Sequence, residues 1–336
     1  MIIFRPALVR AAAVLTAGTL FLTGCGSSVT APSEPGGQSA AAVTLVNCGR
    51  EVVVDGIPEA AVGMHPAQTE LMLRLGLADR LAGQAQATAQ ALPDDVAPLA
   101  KDVPVIGDVK PPSREDLLAV EPDFVYSPTT YEFTAEQGFA SIEQLEQAGA
   151  AVYVAGGGCQ ERRMTGEVRD LFTDLEHLGR IFRVEKAAAE LVSSSQAELD
   201  QVAAAVAGVD RLRVAQVYVD GTTLQAIGAG VEYDILRQAG ADNVYAPDQP
   251  AFAEFFAATI TPESLAAEQP EALVFAAYDE QHEAATRKYL TTTFPDLPAV
   301  RDGRLIAVST SDMFPGTLGN VSVVRRIAEQ LYPDAF

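Results

Sequence analysis

Residues Val184–Ala207 restrict the folds open to this chain more than any other segment. They are 24 consecutive residues, rich in Ala, Glu and Gln, with no Gly or Pro, and they stop at Gly208. Strong helix formers ended by a glycine define one helix, about 36 Å long if continuous. On both sides, short apolar runs alternate with helical stretches. Strands are expected at Ala61–Met64, Phe124–Ser127, Ala151–Ala155, Val214–Val219, Leu273–Ala277 and Leu305–Val308. Helices are expected at Thr69–Leu75, Arg114–Val120, Ile142–Ala148 and Glu167–Arg183, with no strand between the last of these and the long helix. A β-α-β rhythm predicts an α/β protein with mainly parallel sheets covered by helices. The length suits two domains. The long helix, 184–208, is then a strut between Rossmann-like lobes at 43–183 and 209–336; packing within a single domain is the competing arrangement.

The N-terminus reads as an address. Arg5 and Arg10 precede the uncharged stretch Ala11–Leu22, which is too short to span a bilayer and has the length of an export signal's apolar core. Leu22-Thr23-Gly24-Cys25 follows, and it resembles the lipobox at which bacterial lipoproteins are cut and acylated. Residues 1–24 are therefore expected to be removed and Cys25 to carry lipid, tethering the protein to the extracytoplasmic face of the cell membrane by that anchor alone. Residues 25–42, rich in Ser, Pro, Gly and Ala, are expected to form a flexible tether. Cys48 and Cys159 remain. An even pair in an oxidising compartment can form a disulfide; two buried thiols are the other possibility. Val43–Val46 and Glu51–Val54 flank the turn Asn47-Cys48-Gly49-Arg50, a hairpin signal.

The formal charge is −22, and −24 without residues 1–24, which contain two arginines and no acid. That excludes a nucleic-acid partner on electrostatic grounds. Enzyme motifs are missing: there is no G-x-G-x-x-G, Walker A, G-x-S-x-G or H-E-x-x-H pattern. Gly156-Gly157-Gly158 reads as a turn. His65, His177 and His282 are too scattered for a three-histidine metal site, and no resident cofactor is implied.

A motif recurs on either side of the long helix. Ser113-Arg114-Glu115-Asp116-Leu117 leads to Pro122-Asp123 and a strand; Thr261-Pro262-Glu263-Ser264-Leu265 leads to Pro270-Glu271 and a strand. Ser and Thr are N-cap residues, and a carboxylate in the first helical turn is favoured by the helix dipole. Together with Gly49–Val54, Thr69-Glu70-Leu71, Leu75-Gly76-Leu77, Leu297–Arg304 and Pro315-Gly316, the chain from about Cys48 to Pro333 resembles the substrate-binding lipoproteins of ABC importers for iron–siderophore complexes, haem and cobalamin. The resemblance implies two α/β lobes bridged by one long helix, a small-molecule ligand between them, and a monomer that serves a permease and, through it, an ATPase. It implies that Glu115 and Glu263 dock onto the permease; stabilisation of the helix termini alone is the other reading. It also favours the Cys48–Cys159 disulfide. A lipid-anchored sensor or scavenger of the same fold, without an importer, is the alternative function.

Ligands of open α/β sheets sit beyond the carboxyl ends of strands. The loops expected there contain one lysine, Lys110, no arginine and eight acids. Polyanionic ligands call for arginines, so the expected ligand is neutral or weakly charged: a chelate of iron or cobalt, a hydroxamate-type ferric siderophore ahead of a corrinoid. Met64, His65, Tyr131, Phe133, Tyr218, Phe256, Tyr278 and Phe314 are the expected contacts, with His65 also suited to capping the helix it precedes.

Overall fold

The computed structural model describes residues 41–336. Cys25, the export signal and the tether up to residue 40 lie outside the described residues. No helix among the described residues is long and apolar enough to cross a membrane.

The chain opens with the antiparallel hairpin β1 (Val43–Asn47) and β2 (Arg50–Val54). Its two-residue turn, Cys48-Gly49, has positive φ at both positions, the geometry that matches strand twist. Alternation along β1 buries Val43, Leu45 and Asn47. The Asn47 side chain mimics a strand: its Nδ2 donates to the Val154 carbonyl at 2.7 Å and its Oδ1 accepts from the Val154 N–H at 2.8 Å. Beside it, Cys48 and Cys159 form a disulfide across 111 residues. The hairpin thus covers an edge strand that would otherwise present open hydrogen-bonding groups.

The first lobe is a four-stranded parallel sheet, ordered β4-β3-β5-β6, with β3 at Ala61–Gly63, β4 at Leu81–Gln84, β5 at Phe124–Ser127 and β6 at Ala151–Val154. Helices α1 (Pro66–Arg74), α2 (Arg114–Ala119) and α3 (Ile142–Gln147) make the crossovers. β3 and β5 are buried on both faces, so they read as continuous apolar runs without alternation. Next come α4 (Asp170–Phe182) and α5 (Glu185–Val206). The break between them is Arg183, at φ 59°. The long helix is therefore 22 residues, about 33 Å, rather than 24.

The second lobe contains β7 (Arg213–Asp220), β8 (Thr223–Ile227), α6 (Gly230–Gln238), β9 (Asp242–Asn243), β10 (Ala257–Thr259), α7 (Pro262–Glu268), β11 (Ala272–Ala277), α8 (Glu280–Thr293), α9 (Pro298–Arg301), β12 (Leu305–Ser309), α10 (Thr310–Met313) and α11 (Gly319–Leu331). Its parallel part, β9-β7-β11-β12, repeats the first lobe's order. The repeated sequence motif falls on equivalent elements: α2 enters central strand β5, and α7 enters central strand β11. One difference breaks the repeat. β8 turns back along the C-terminal half of β7, and β10 pairs with β8, both antiparallel. The second sheet is thus a parallel sheet with an antiparallel extension, and Tyr218–Ala226 lie in a β-hairpin around Gly221.

Ala188, Ser195, Leu199 and Val202 of α5 are buried, and α5 packs on α4 and α11. A single apolar cluster runs from Leu71, Phe124 and Tyr126 in the first lobe, through Leu175, Leu199 and Val324, to Val214, Val274 and Ile306 in the second. The opposite faces of the two sheets have separate cores, around Leu145 and Val152 and around Phe275 and Leu290. The lobes therefore share a core on the side of α5.

Replacing Cys48 by Ser should destabilise the protein by about 2–5 kcal/mol in chemical denaturation. The hairpin's docking depends on that cross-link, and an unchanged midpoint would contradict this.

Candidate functional site

The lobes meet where the Pro315-Gly316 turn of the second enters the first. Gln68 Nε2 donates to the carbonyls of Pro315 and Gly316 at 3.2 and 3.3 Å, and the Tyr126 hydroxyl donates to Gly316 O at 3.2 Å. Gly316 has φ 68°, and a Cβ there would lie 2.4 Å from Ala155 Cβ and 2.7 Å from the Tyr126 hydroxyl. Only glycine fits. Under this turn, the fully buried Asp174 carboxylate on α4 accepts from the Tyr153 hydroxyl at 2.8 Å and the Gly156 N–H at 2.9 Å. Tyr153 also bonds His177 Nδ1 at 2.9 Å. Burial pushes the Asp174 carboxyl up to about 7, although both hydrogen bonds favour the anion.

Beside this junction, on the second lobe, lies a cavity of about 300 Å3, at the small end of small-molecule sites. β7 contributes Gln216, Val217 and Tyr218; β8 contributes Gln225 and Ile227; Phe255, Phe256 and Ala257 lead into β10; Thr310, Met313 and Phe314 come from α10 and its end. The antiparallel strands that the first lobe lacks thus add Gln225, Ile227 and Ala257 to the wall. The polar groups are few. Gln216 is buried inside an otherwise apolar strand, and its Oε1 has no hydrogen-bond partner; neither has Thr310 Oγ1. A buried amide without a partner costs roughly 1–3 kcal/mol, which a solute bonding to it would recover. Arg163, from the segment between β6 and α4, completes the wall. Its guanidinium lies 3.6 Å over the Phe256 ring and donates from Nη1 and Nη2 to the two carboxylate oxygens of Glu232, at 3.0 and 2.7 Å.

The cavity brings together Tyr218, Phe256 and Phe314 from the residues read in sequence. Met64 and Phe133 are buried in the first lobe's outer core, because each packs beneath β5 rather than beyond its end. His65 is the N-cap of α1: its Nδ1 accepts from the Ala67 N–H at 3.3 Å, and burial pushes the imidazole down to about 4, so the ring is neutral. It reaches the cavity only through Phe314, with ring centroids 4.5 Å apart. Tyr131 is exposed, edge-on to Phe139, and Tyr278 is exposed and stacked on His282 at 4.2 Å; neither lines the cavity. His282 is buried rather than solvated, and its Nε2 donates to Val219 O at 2.7 Å. Arg163 corrects the expectation of an arginine-free site. It is far in sequence from every strand end, and no local signal marks it. Gln216 did carry one: a glutamine inside an apolar strand.

Cys48, Cys159 and Glu161 are the grouping of metal-binding side chains among the described residues, and the two sulfurs are already bonded to each other. Glu115 and Glu263 are both exposed. Each is the second residue of its helix, after Ser113 and Thr261, whose hydroxyls cap α2 and α7 by accepting from Asp116 N and Ser264 N.

Two α/β lobes, one linking helix and an aromatic cavity beside their junction describe a solute receptor. Residues 62–310 match the periplasmic binding protein family, and the chain belongs to it; it is a solute-binding protein, not an enzyme. It is 22% identical to the uncharacterized ABC transporter substrate-binding lipoprotein YvrC of Bacillus subtilis (strain 168), over 96% of this chain and 97% of that one. A periplasmic binding protein from Veillonella parvula superposes with a TM-score of 0.76 at 23% identity, over 87% of this chain and 98% of the other. A protein of an ABC-type Fe3+-hydroxamate transport system from Saccharomonospora viridis does so at 0.70 and 25% identity, over 86% and 98%.

The raised Asp174 carboxyl fixes a pH dependence. From its usual 3.8 up to about 7, the folded state holds a proton that the unfolded state has released, so the contribution to stability falls as pH rises through that window. The stability of the wild type relative to Asp174→Asn should fall by roughly 2–3 kcal/mol between pH 5 and 8. Urea denaturation at the two pH values checks this, and a flat difference would contradict a protonated Asp174.

Proposed function

We propose that this protein is a lipid-anchored receptor, held by Cys25 on the extracytoplasmic face of the membrane. It captures an electroneutral metal chelate, a hydroxamate-type ferric siderophore, and delivers it to the permease of an ABC importer. The observation that carries the ligand class is the composition of the cavity wall. Its aromatic surfaces suit an apolar chelate shell, its one arginine is already paired with Glu232, and the unpartnered Gln216 Oε1 can accept from an amide N–H of the chelate. A polyanionic chelate would need unpaired cations. A volume of about 300 Å3 favours a compact chelate over a corrinoid. Likeness to the Saccharomonospora viridis protein of a hydroxamate transport system points the same way.

Delivery needs a surface on each lobe. Glu115 and Glu263 occupy equivalent first-turn positions on equivalent helices and are exposed. Two carboxylates, one per lobe, suit a permease that reads the spacing of the lobes through cationic residues. The protein acts as a monomer, and the tether up to residue 42 keeps it near that permease.

The chain has nine tyrosines and no tryptophan, so quenching of tyrosine fluorescence by a ferric chelate reports binding. The electroneutral cyclic complex ferrioxamine E should bind, and Phe256→Ala should weaken it about tenfold or more through loss of aromatic contact. Tight binding of ferric citrate in preference to ferrioxamine E would contradict the reading. Reversing Glu115 and Glu263 to Lys should reduce uptake of the chelate about tenfold or more while leaving its affinity within about twofold, as for charges at an interface remote from the ligand; unchanged uptake would remove the docking role.

A further inference from the structure

The segment Cys159–Asp170 belongs to the first lobe at both ends and to the second lobe in the middle. Its start is held by the Cys48–Cys159 disulfide, and its end runs into α4 at Asp170, whose carboxylate accepts from Arg162 Nη2 at 2.6 Å across the segment. Between these anchors it crosses to α6. Met164 O accepts from the Gly230 N–H at 3.2 Å, the Val168 N–H donates to Asp234 at 2.9 Å, and the Met164 side chain packs on the second lobe's outer core. Gly230, at φ 74°, permits the close approach, since a Cβ there would lie 2.6 Å from Arg163 O. The strap therefore delivers Arg163 to the cavity in a fixed position.

That position is suited to a carboxylate. A guanidinium lying over an aromatic ring, at the edge of an apolar cavity, binds carboxylates through paired N–H donors. Here both terminal nitrogens already face Glu232, itself buried on α6, and the side chains of the pair are 17% and 10% exposed. An anionic solute would have to displace the Glu232 carboxylate or lie against it, and like charge in a poorly hydrated site is strongly unfavourable.

We propose that Glu232 is the residue that sets the charge selectivity of this cavity: by occupying Arg163, it converts a site built to receive a carboxylate into one that admits electroneutral solutes and refuses anionic ones. The assignment rests on the cavity being the solute site. It goes beyond the ligand class proposed above, because it names the side chain responsible and implies that the opposite preference lies one substitution away.

The test compares the electroneutral cyclic tris-hydroxamate complex ferrioxamine E with ferric citrate, on the wild type, Glu232→Gln, Arg163→Gln and the double variant. Glu232→Gln keeps the shape and an acceptor for Arg163 while removing the charge. It should bind ferric citrate about tenfold or more tighter than the wild type, as expected for a freed arginine, with ferrioxamine E changed less than about threefold. The double variant should lose the gain, because the guanidinium that receives the anion is gone; a role confined to folding would not produce this pattern. Circular dichroism melting checks that each variant is folded, and Glu232→Ser, which also removes the charge while leaving Arg163 in place, serves if Glu232→Gln is not. A second probe pair, anionic 8-anilinonaphthalene-1-sulfonate and neutral Nile red, separates this inference from the ferric-chelate reading. If the wild type binds neither chelate, that reading fails, and a gain for the sulfonate alone in Glu232→Gln still supports the role of Glu232. Equal anion affinity in the wild type and Glu232→Gln, or a gain that persists in the double variant, overturns it.

Discussion

The turn at Pro315-Gly316 is a piece of one lobe buried in the other, and the site depends on it. Gly316 lies against Ala155 and Tyr126, and below it the buried Asp174 carboxyl group accepts from the Tyr153 hydroxyl and the Gly156 N–H. Any side chain at residue 316 would meet backbone-held atoms. The contact is thus set by sterics first and completed by hydrogen bonds. It fixes Phe314, the residue just before the turn, against His65 of the first lobe on one side and the cavity on the other. The lobes also share an apolar core along α4, α5 and α11. Interiors packed in this way are not continuously deformable, so the lobes are expected to move little relative to one another. Selectivity then rests on the fixed chemistry of the cavity wall rather than on a large closure.

The cavity arises where an internal repeat is broken. Both lobes contain the same four parallel strands in the same order, but only the second adds β8 and β10 across the end of its sheet. Those strands contribute Gln225, Ile227 and Ala257 to the wall and extend the hairpin that carries Tyr218. The first lobe supplies its share by a different route, the strap that starts at the disulfide and brings Arg163 across to Glu232. Repetition gives the matched pair Glu115 and Glu263; departure from repetition shapes the cavity.

Much of this was legible from residue patterns. Alternation and the Cys48-Gly49 turn define the hairpin, apolar runs define β3, β5 and β6, and a segment free of Gly and Pro defines α5 to within a residue or two of each end. Short antiparallel strands were not legible. The hairpin around Gly221 is rich in Thr and Gln, and β10 has only three residues; both are held by pairing with β7 and β8, which local propensity does not encode. Contacts of the site were read less well than the fold. Met64 and Phe133 lie near strand ends in sequence but point into a core. Arg163 comes from a loop that pairs with no strand, and its partner Glu232 lies 69 residues away. Counting charges in the expected loops missed Arg163, which the cavity wall holds paired with Glu232.

The central claim is that an electroneutral ferric chelate binds on the second lobe, against Phe256 and Gln216, with the Arg163–Glu232 pair intact. A crystal structure of the protein with the electroneutral ferrioxamine E, with the iron located by anomalous scattering, tests this most directly. The account places the iron complex beside Phe256, with the ligand bonded to the Gln216 carboxamide and Glu232 still paired with Arg163. An iron site on the first lobe beside Tyr131, or a ligand that has displaced Glu232 from Arg163, would contradict it.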